Sequence, residues 1–183
     1  MLKSDSSLLN GRKPFFSPEG TNNIAAHPCL VCRIGRMGKH IEPRFAWRYI
    51  DGIAPGLHIE DADRLAAARQ KRTDWVLATA MDGSMPVGEF TDTPAEEEHC
   101  LTTYTYRLYK QVSDISEGCP TVEYRLVLND KAEDIVALLS KTITLRQGDL
   151  IFIGADTEPL MPQVNNCIVA YNGTEDLLFC KIK

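Results

Sequence analysis

The second half of the chain is dominated by sequences typical of β-strands, and this restricts the folds open to it. These stretches are rich in tyrosine, threonine and valine or form short apolar runs. They cover residues 101–110, 121–129, 150–153 and, as a closing hairpin across Asn172-Gly173, 167–171 with 177–182. One helix is predicted among them, over residues 130–140. Strands therefore outnumber helices in this half of the chain.

The first half is predicted to add one strand, one extended segment and two short helices. The strand covers residues 29–34, and Pro55 and Gly56 keep residues 53–59 extended. One helix is expected over 44–51, with Gly52 as the residue that ends it. The other is expected over 61–72, because its acidic start and basic end match the helix dipole. Together the patterns predict a β-rich α+β fold.

Composition sets the broad class of protein. A length of 183 residues with 44% hydrophobic content predicts a single domain over 1–183, in which 1–22 form a polar, turn-rich N-terminal segment. The net charge is −5 and no basic stripe is present, which argues against a nucleic-acid partner. No apolar run approaches the ~20 residues needed to cross a membrane. The N-terminus lacks the apolar core of a signal peptide, so a cytoplasmic location is expected.

Cys29 and Cys32 form a C-x-x-C motif, which suggests either a zinc site or a redox pair. The second C-x-x-C of a zinc ribbon is missing. Residues three apart on a strand point to opposite faces, so the two sulfurs should diverge. We interpret them as two structural, reduced thiols.

Several short motifs, in a fixed order along essentially the whole chain, carry a family resemblance. They are Lys13-Pro14-Phe15-Phe16, the segment 30–39, the segment 46–52, the segment 75–86, Leu139-Ser140, Thr144-Leu145, and Gly148-Asp149-Leu150-Ile151 with Gly154. In this order they resemble the catalytic domain of the fumarylacetoacetate hydrolase family. The resemblance implies a mixed β-sandwich roll, or β-clip, and a homodimer.

The resemblance also implies a chemistry. Members of the family bind Mg²⁺, Mn²⁺ or Ca²⁺ through a Glu-x-Glu pair and a later aspartate. They hydrolyse, decarboxylate, hydrate or isomerise 2-oxo acids and β-diketo acids. The metal chelates the oxo acid and stabilises the enolate that develops when the bond breaks.

The chain departs from this pattern at the positions that hold the metal. The Glu-x-Glu pair falls on His27 and Cys29, and the later aspartate falls on His58. The family's lysine falls on Thr79, whereas the aspartate that follows it is kept as Asp82. Thr79 and Asp82 are therefore the family-equivalent catalytic positions.

The substrate-binding positions are also altered. Arg33 is a predicted pocket residue, and a Gly-Thr-Pro near the C-terminus falls on Gly154-Ala155-Asp156. Ala155 therefore lacks the threonine hydroxyl that contacts substrate in the family. The family's N-terminal lid has no expected counterpart, unless Met1 is a misplaced start and a lid segment lies upstream.

Two hypotheses follow from these departures. The first is a divergent member that lacks the usual Mg²⁺- or Mn²⁺-dependent activity, either keeping a pocket for a small 2-oxo acid or serving as a dimerising structural domain. The alternative is an active hydrolase, hydratase or decarboxylase, because two imidazoles and a thiol suit Zn²⁺ or Fe²⁺ better than Mg²⁺. His27 and Cys29 share a strand face, so both could bind one ion together with His58.

The remaining polar residues are assigned to structure. Glu60 could offer a carboxylate to the same pocket, but the acidic start of the helix over 61–72 is the preferred interpretation. His40 and His99 are expected at the surface. The run Glu96-Glu97-Glu98 is interpreted as a solvated loop edge or strand start rather than a metal patch.

Overall fold

The computed structural model describes residues 3–93, 103–127, 131–154 and 157–183. Its strands are β1 (Leu8–Asn10), β2 (Ile24–Ile34), β3 (Ile50–Asp61), β4 (Met85–Val87), β5 (Thr103–Tyr109), β6 (Val122–Val127), β7 (Leu150–Ile153), β8 (Cys167–Asn172) and β9 (Glu175–Lys181). Its α-helices are α1 (Ala62–Lys71), α2 (Val76–Thr79), α3 (Ser113–Glu117) and α4 (Lys131–Thr142), and 3-10 turns cover Asp5–Ser7 and Pro43–Tyr49.

The strands form two sheets. The first has five strands in the order β1-β4-β3-β2-β7, and the second has four in the order β6-β5-β8-β9. Side chains from both sheets share one hydrophobic core, which includes Leu57 of β3, Tyr106 of β5 and Ile168 of β8. The β-rich α+β class predicted from the sequence is therefore confirmed.

The long antiparallel pair β2–β3 forms the centre of the first sheet. Its register places His27 opposite His58 and Cys29 opposite Gly56. Because side chains alternate along a strand, Leu30 and Cys32 face the core between the sheets while their neighbours face outward. We call the outward side of β2 and β3, which carries His27 and His58, the outer face.

Most predicted elements are confirmed, with shifted ends. The strand expected over 29–34 begins earlier, at Ile24, and the extended segment 53–59 lies within β3. The closing hairpin forms between β8 and β9, but its turn falls on Gly173 and Thr174. Parts of the predicted segments 101–110, 121–129 and 130–140, at residues 101–102 and 128–130, lie outside the described residues.

Two predicted helices met different outcomes. Helix α1 is confirmed, and Asp61 caps it by accepting a 2.9 Å hydrogen bond from the Arg64 N–H. The helix over 44–51 is wrong, because the chain forms a 3-10 turn that ends at Tyr49 and then enters β3. Gly52 lies inside that strand, where an added Cβ would approach the Arg33 guanidinium to 3.0 Å. Close packing of a side chain therefore accounts for this glycine.

The N-terminal segment is folded against the first sheet. Strand β1 pairs in parallel with β4, and Gly83 N–H donates a 2.9 Å hydrogen bond to the Ser6 carbonyl. These contacts place the start of the chain near the C-terminal end of β3, where the Ile59 N–H donates to the Ser84 carbonyl. The described part of the chain contains no helix that is both long and apolar enough to cross a bilayer.

The two cysteines of the C-x-x-C motif lie in β2 as predicted, and both are buried. Cys32 belongs to the core between the sheets, and burial raises the pKa of its thiol to about 12. Cys29 lies on the outer face, where its thiol donates to the carbonyl of His27 at 3.4 Å. The prediction that the two sulfurs diverge is confirmed.

Candidate functional site

Four ionisable side chains meet at one end of the outer face. His27 comes from β2, His58 and Glu60 come from β3, and Lys3 comes from the N-terminal segment. The three strand residues share a face because the β2–β3 register aligns them and side chains repeat every second residue. We call Lys3, His27, His58 and Glu60 the polar cluster.

The Glu60 carboxylate lies between the two imidazoles. Its Oε1 is 3.3 Å from Nε2 of His27, whereas its Oε2 is 4.0 Å from Nε2 of His58. The ring centroids of the two histidines are 5.7 Å apart, with a 26° angle between the planes. Glu60 thus bonds to His27 and only approaches His58.

His27 has an acceptor at each ring nitrogen. Nδ1 is 2.8 Å from the carbonyl oxygen of Thr157, and Nε2 faces Glu60. The hydrogen bond to Glu60 is the main reason why the pKa of His27 is raised. Burial acts to raise the pKa of Glu60, but the hydrogen bond and the charge of His27 outweigh it, so that pKa is lowered. The hydrogen bond therefore favours the protonated form of His27 and the ionised form of Glu60.

His58 is in the opposite situation. It is 3% exposed, and neither Nδ1 nor Nε2 has a hydrogen-bond partner among the described residues. Burial, followed by the positive charge of Lys3, lowers the pKa of His58 to about 4. His58 is therefore neutral at pH 7. Buried polar atoms are nearly always hydrogen-bonded in folded proteins, so two without partners on one ring indicate a place for a ligand.

Lys3 supplies the cation of the cluster. Its Nζ donates hydrogen bonds to the carbonyl oxygen of Thr79 and, at 3.3 Å, to Oγ of Ser84. Burial lowers the pKa of Lys3 to about 8, although the nearby Cys29 and Glu60 act to raise it. Sequence reasoning missed Lys3, because no motif surrounds it and its partners are 76 and 81 residues away.

One of the two family-equivalent catalytic positions, Thr79, contacts the cluster. Thr79 lies at the end of α2 and is 2% exposed. Its hydroxyl donates a 3.2 Å hydrogen bond to the Trp75 carbonyl, whereas its backbone carbonyl accepts the hydrogen bond from Lys3. Asp82 is exposed in the turn before β4. The catalytic role expected for Asp82 stays a prediction.

Arg33, a predicted substrate-binding residue, is not brought together with the cluster. Arg33 lies six residues beyond His27 on β2, which is roughly 20 Å along a strand. Its guanidinium pairs with Asp51 at 2.6 Å and packs over the Phe90 ring at 4.6 Å. Ala155, like His99 and residues 96–98, lies outside the described residues. His40 is exposed, as predicted.

The donor set does not match the metal that the family binds. His27 and Cys29 share the outer face with His58 as expected, but no three His, Cys, Asp or Glu side chains of the described residues are arranged to hold a metal ion. Mg²⁺ and Mn²⁺ favour oxygen ligands, whereas the carboxylate of the polar cluster, Glu60, is already hydrogen-bonded to His27.

Sequence comparison agrees with the fold. The family model described as fumarylacetoacetate (FAA) hydrolase C-terminal matches residues 1–168. The chain belongs to the fumarylacetoacetate hydrolase family.

Two curated proteins of this family are similar to the chain. The fumarylacetoacetate hydrolase domain-containing protein 2 homolog of Dictyostelium discoideum is 23% identical across 99% of this chain, which spans 59% of that protein. The mitochondrial oxaloacetate tautomerase FAHD1 of Rattus norvegicus is 25% identical across 84% of this chain and 66% of its own length.

Solved structures share the fold. Fumarylpyruvate hydrolase from Pseudomonas aeruginosa, in complex with Mn²⁺ and pyruvate, superposes with a TM-score of 0.77 at 22% identity, covering 98% of this chain and 76% of that one. The 5-carboxymethyl-2-hydroxymuconate delta-isomerase from Mycobacterium smegmatis gives a TM-score of 0.76 at 19% identity, covering 100% of this chain and 67% of that one.

Proposed function

We propose that this chain binds a small 2-oxo acid at the polar cluster and lacks the Mg²⁺- or Mn²⁺-dependent activity usual in its family. The observation that carries the proposal is the hydrogen bond of His27 with Glu60 beside the buried imidazole of His58, which has no partner among the described residues. His27 and His58 occupy two positions where the family resemblance expects carboxylate ligands. Homodimer formation and a cytoplasmic location remain predictions.

The charges of the cluster favour an anion over a divalent cation. Protonation of His27, which Glu60 favours, removes the lone pair that a metal would need, and the ammonium form of Lys3 repels a metal ion. The same two cations attract a carboxylate. A neutral His58 carries one N–H donor, which can bind a carboxylate or keto oxygen, so a small oxo acid would supply the partner that this ring lacks.

The choice of a 2-oxo acid rests on the relatives. The rat protein is named as an oxaloacetate tautomerase, and the Pseudomonas hydrolase was solved with pyruvate. Because this chain spans only part of their length, carrying their substrate class over to it is part of the proposal.

A second function is favoured by one specific observation. A buried neutral imidazole without a partner, as in His58, is also the form of histidine that binds Zn²⁺ or Fe²⁺. A shift of side chains that brought His27, Cys29 and His58 around one ion would give an active metal-dependent hydrolase, hydratase or decarboxylase.

The test combines metal analysis with calorimetry. Purified protein is treated with EDTA, and pyruvate and Mn²⁺ are then titrated separately. We expect pyruvate to bind without added metal, Mn²⁺ to leave that affinity unchanged, and oxaloacetate turnover not to rise with Mn²⁺. His27→Gln should weaken pyruvate binding, whereas the same change at exposed His40 should have no effect.

Three results would contradict the proposal. Mn²⁺-stimulated oxaloacetate turnover would show that the family chemistry is intact. Stoichiometric zinc or iron that disappears in His58→Ala would instead establish the second function. If pyruvate binds in none of the preparations, the proposed binding of a 2-oxo acid is refuted.

A further inference from the structure

We propose that the Lys3 side-chain amine forms an imine with the C2 carbonyl of the bound 2-oxo acid, so that the chain activates its ligand covalently. This inference rests on the proposed function, because it requires a 2-oxo acid at the polar cluster. It assigns the site a lysine nucleophile from the N-terminal segment in place of a metal ion.

The neutral form of Lys3, a minor fraction at pH 7, keeps its lone pair free of hydrogen bonds. A neutral amine has two N–H donors and one lone pair, whereas an ammonium has three donors. Nζ has two acceptors, the Thr79 carbonyl and the Ser84 hydroxyl, and Lys3 forms no ion pair with a carboxylate of the described residues. With both N–H groups bonded, the lone pair remains to attack a carbonyl carbon.

The surroundings hold Lys3 in place. Thr79 is 2% exposed and Ser84 is fully buried, and the Ser84 carbonyl accepts a 2.8 Å hydrogen bond from the Ile59 N–H of β3. The backbone of the N-terminal segment is fixed by the Gly83 N–H to Ser6 carbonyl bond. A lysine held at both its backbone and its amine loses less conformational entropy when a ligand binds.

Burial makes the amine more reactive at neutral pH. The pKa of Lys3 is lowered from 10.5 to about 8, mainly by desolvation. At pH 7 the fraction of neutral amine is therefore about a tenth, which is roughly 300-fold more than for an ordinary lysine. Desolvation of this kind is one of the known ways in which proteins activate a lysine nucleophile.

The reaction is balanced without a metal or an oxidant. The Nζ lone pair attacks C2, and the carbonyl π electrons move to oxygen, which takes up a proton as Nζ loses one. The resulting hydroxyl leaves as water after protonation, and the nitrogen lone pair forms the C=N bond. The net change converts an ammonium and a ketone into a protonated imine and water.

His58 belongs to the same polar cluster, and both of its ring nitrogens lack a partner among the described residues, so it is available to hydrogen-bond the oxygen that leaves as water. The protonated imine would then withdraw electrons from C2, which stabilises the carbanion formed when a proton or CO₂ leaves C3. This is the stabilisation that a chelated metal gives to an enolate.

Reductive trapping tests the proposal directly. The full chain is incubated with pyruvate and sodium cyanoborohydride, which adds hydride to C2 of an imine and fixes it as a secondary amine. Cleavage after Glu19 releases the N-terminal peptide, and its fragmentation spectrum separates the Lys3 side chain from the terminal amine. Binding of pyruvate to unmodified protein is measured in parallel by calorimetry.

We expect the adduct on Lys3 to form at least about tenfold faster than on the exposed Lys71, which serves as an internal control. Lys3→Arg keeps the positive charge but should give no adduct at that position. Lactate, which has no ketone, should give none on any lysine.

The outcomes separate the two proposals. If pyruvate binds but Lys3 is labelled no faster than Lys71, the imine is refuted and the proposed function stands. If pyruvate does not bind, the proposed function fails and the imine fails with it. Equal labelling of all lysines would likewise overturn the role of Lys3.

Discussion

Replacing His58 with leucine should make the protein more stable, and this expectation follows directly from the geometry of the site. His58 is buried within β3, and its closest ionic group, Glu60, is 4.0 Å away, too far for a hydrogen bond. A leucine of similar size could occupy the position without leaving a polar atom unpartnered.

The magnitude can be worked from two contributions. A buried polar group without a partner destabilises a protein by about 1–3 kcal/mol. Leucine removes this penalty and also buries more apolar surface. We therefore expect His58→Leu to raise the free energy of unfolding by about 1–3 kcal/mol at about pH 8, where the imidazole is neutral in both the folded and the unfolded states.

The difference should grow as the pH falls. The folded-state pKa of His58 is about 4, whereas its ordinary value is 6.5. Between these values the unfolded chain binds a proton that the folded chain does not, so the wild type loses stability as the pH falls through 6.5 towards 4. The lowered pKa corresponds to a loss of about 3 kcal/mol, which His58→Leu should not show.

Urea unfolding followed by circular dichroism, repeated from about pH 8 down to about pH 4.5, measures both effects. His27→Leu is the matched control, because His27 lies opposite His58 in the register but has an acceptor at each nitrogen. That change should destabilise the protein, since it leaves Glu60 without its partner. A destabilised His58→Leu variant, or equal effects at both positions, would refute the description of His58 as unpartnered.

Three further changes test how the fold holds the site in place. Tyr106→Phe should lower the free energy of unfolding by about 1–3 kcal/mol in urea titrations, because the buried hydroxyl accepts from the Gly56 N–H at 3.1 Å and donates to a β2 carbonyl at 2.7 Å. Gly56→Ala should lower the melting temperature through a loss of about 1–3 kcal/mol, since its Cβ would lie 2.4 Å from the Val31 side chain; an unchanged melting temperature would contradict this packing. Asp61→Ala should lower the free energy of unfolding by about 0.5–2 kcal/mol, because it removes the N-cap of α1. Any loss of helical signal in circular dichroism should be no larger than the contribution of α1.

The parts of the fold that sequence predicted well are those fixed by local chemistry. Helix α1 is marked by Asp61 as its cap and by basic residues in its last turn, and both signals lie within the helix itself. The β8–β9 hairpin is likewise specified by its turn around Gly173, where a positive φ of 61° favours glycine.

The errors occurred where a residue had a tertiary role. Gly52 resembled a helix terminator, but its lack of a side chain makes room for Arg33. Glu60 was preferred as the start of a helix, yet it lies in β3 and its partner is on the neighbouring strand. Lys3 gave no local signal at all, because contacts with residues 76 and 81 positions away bring it to the site. Strand alternation did predict that His27 and His58 could share a face, but not that Glu60 would pair with one and only approach the other.

The two faces of β2 and β3 explain how the site can change while the fold persists. The inward residues, such as Leu30 and Leu57, pack into the core shared by the two sheets. The outward residues His27 and His58 take no part in that core, so their identity is not constrained by its packing. Replacement of carboxylates at these positions would therefore alter the chemistry with little effect on the sheets. Under the proposed function, the cation of Lys3, which comes from the N-terminal segment and not from β2 or β3, would take the electrostatic role of a metal without a change to the strands.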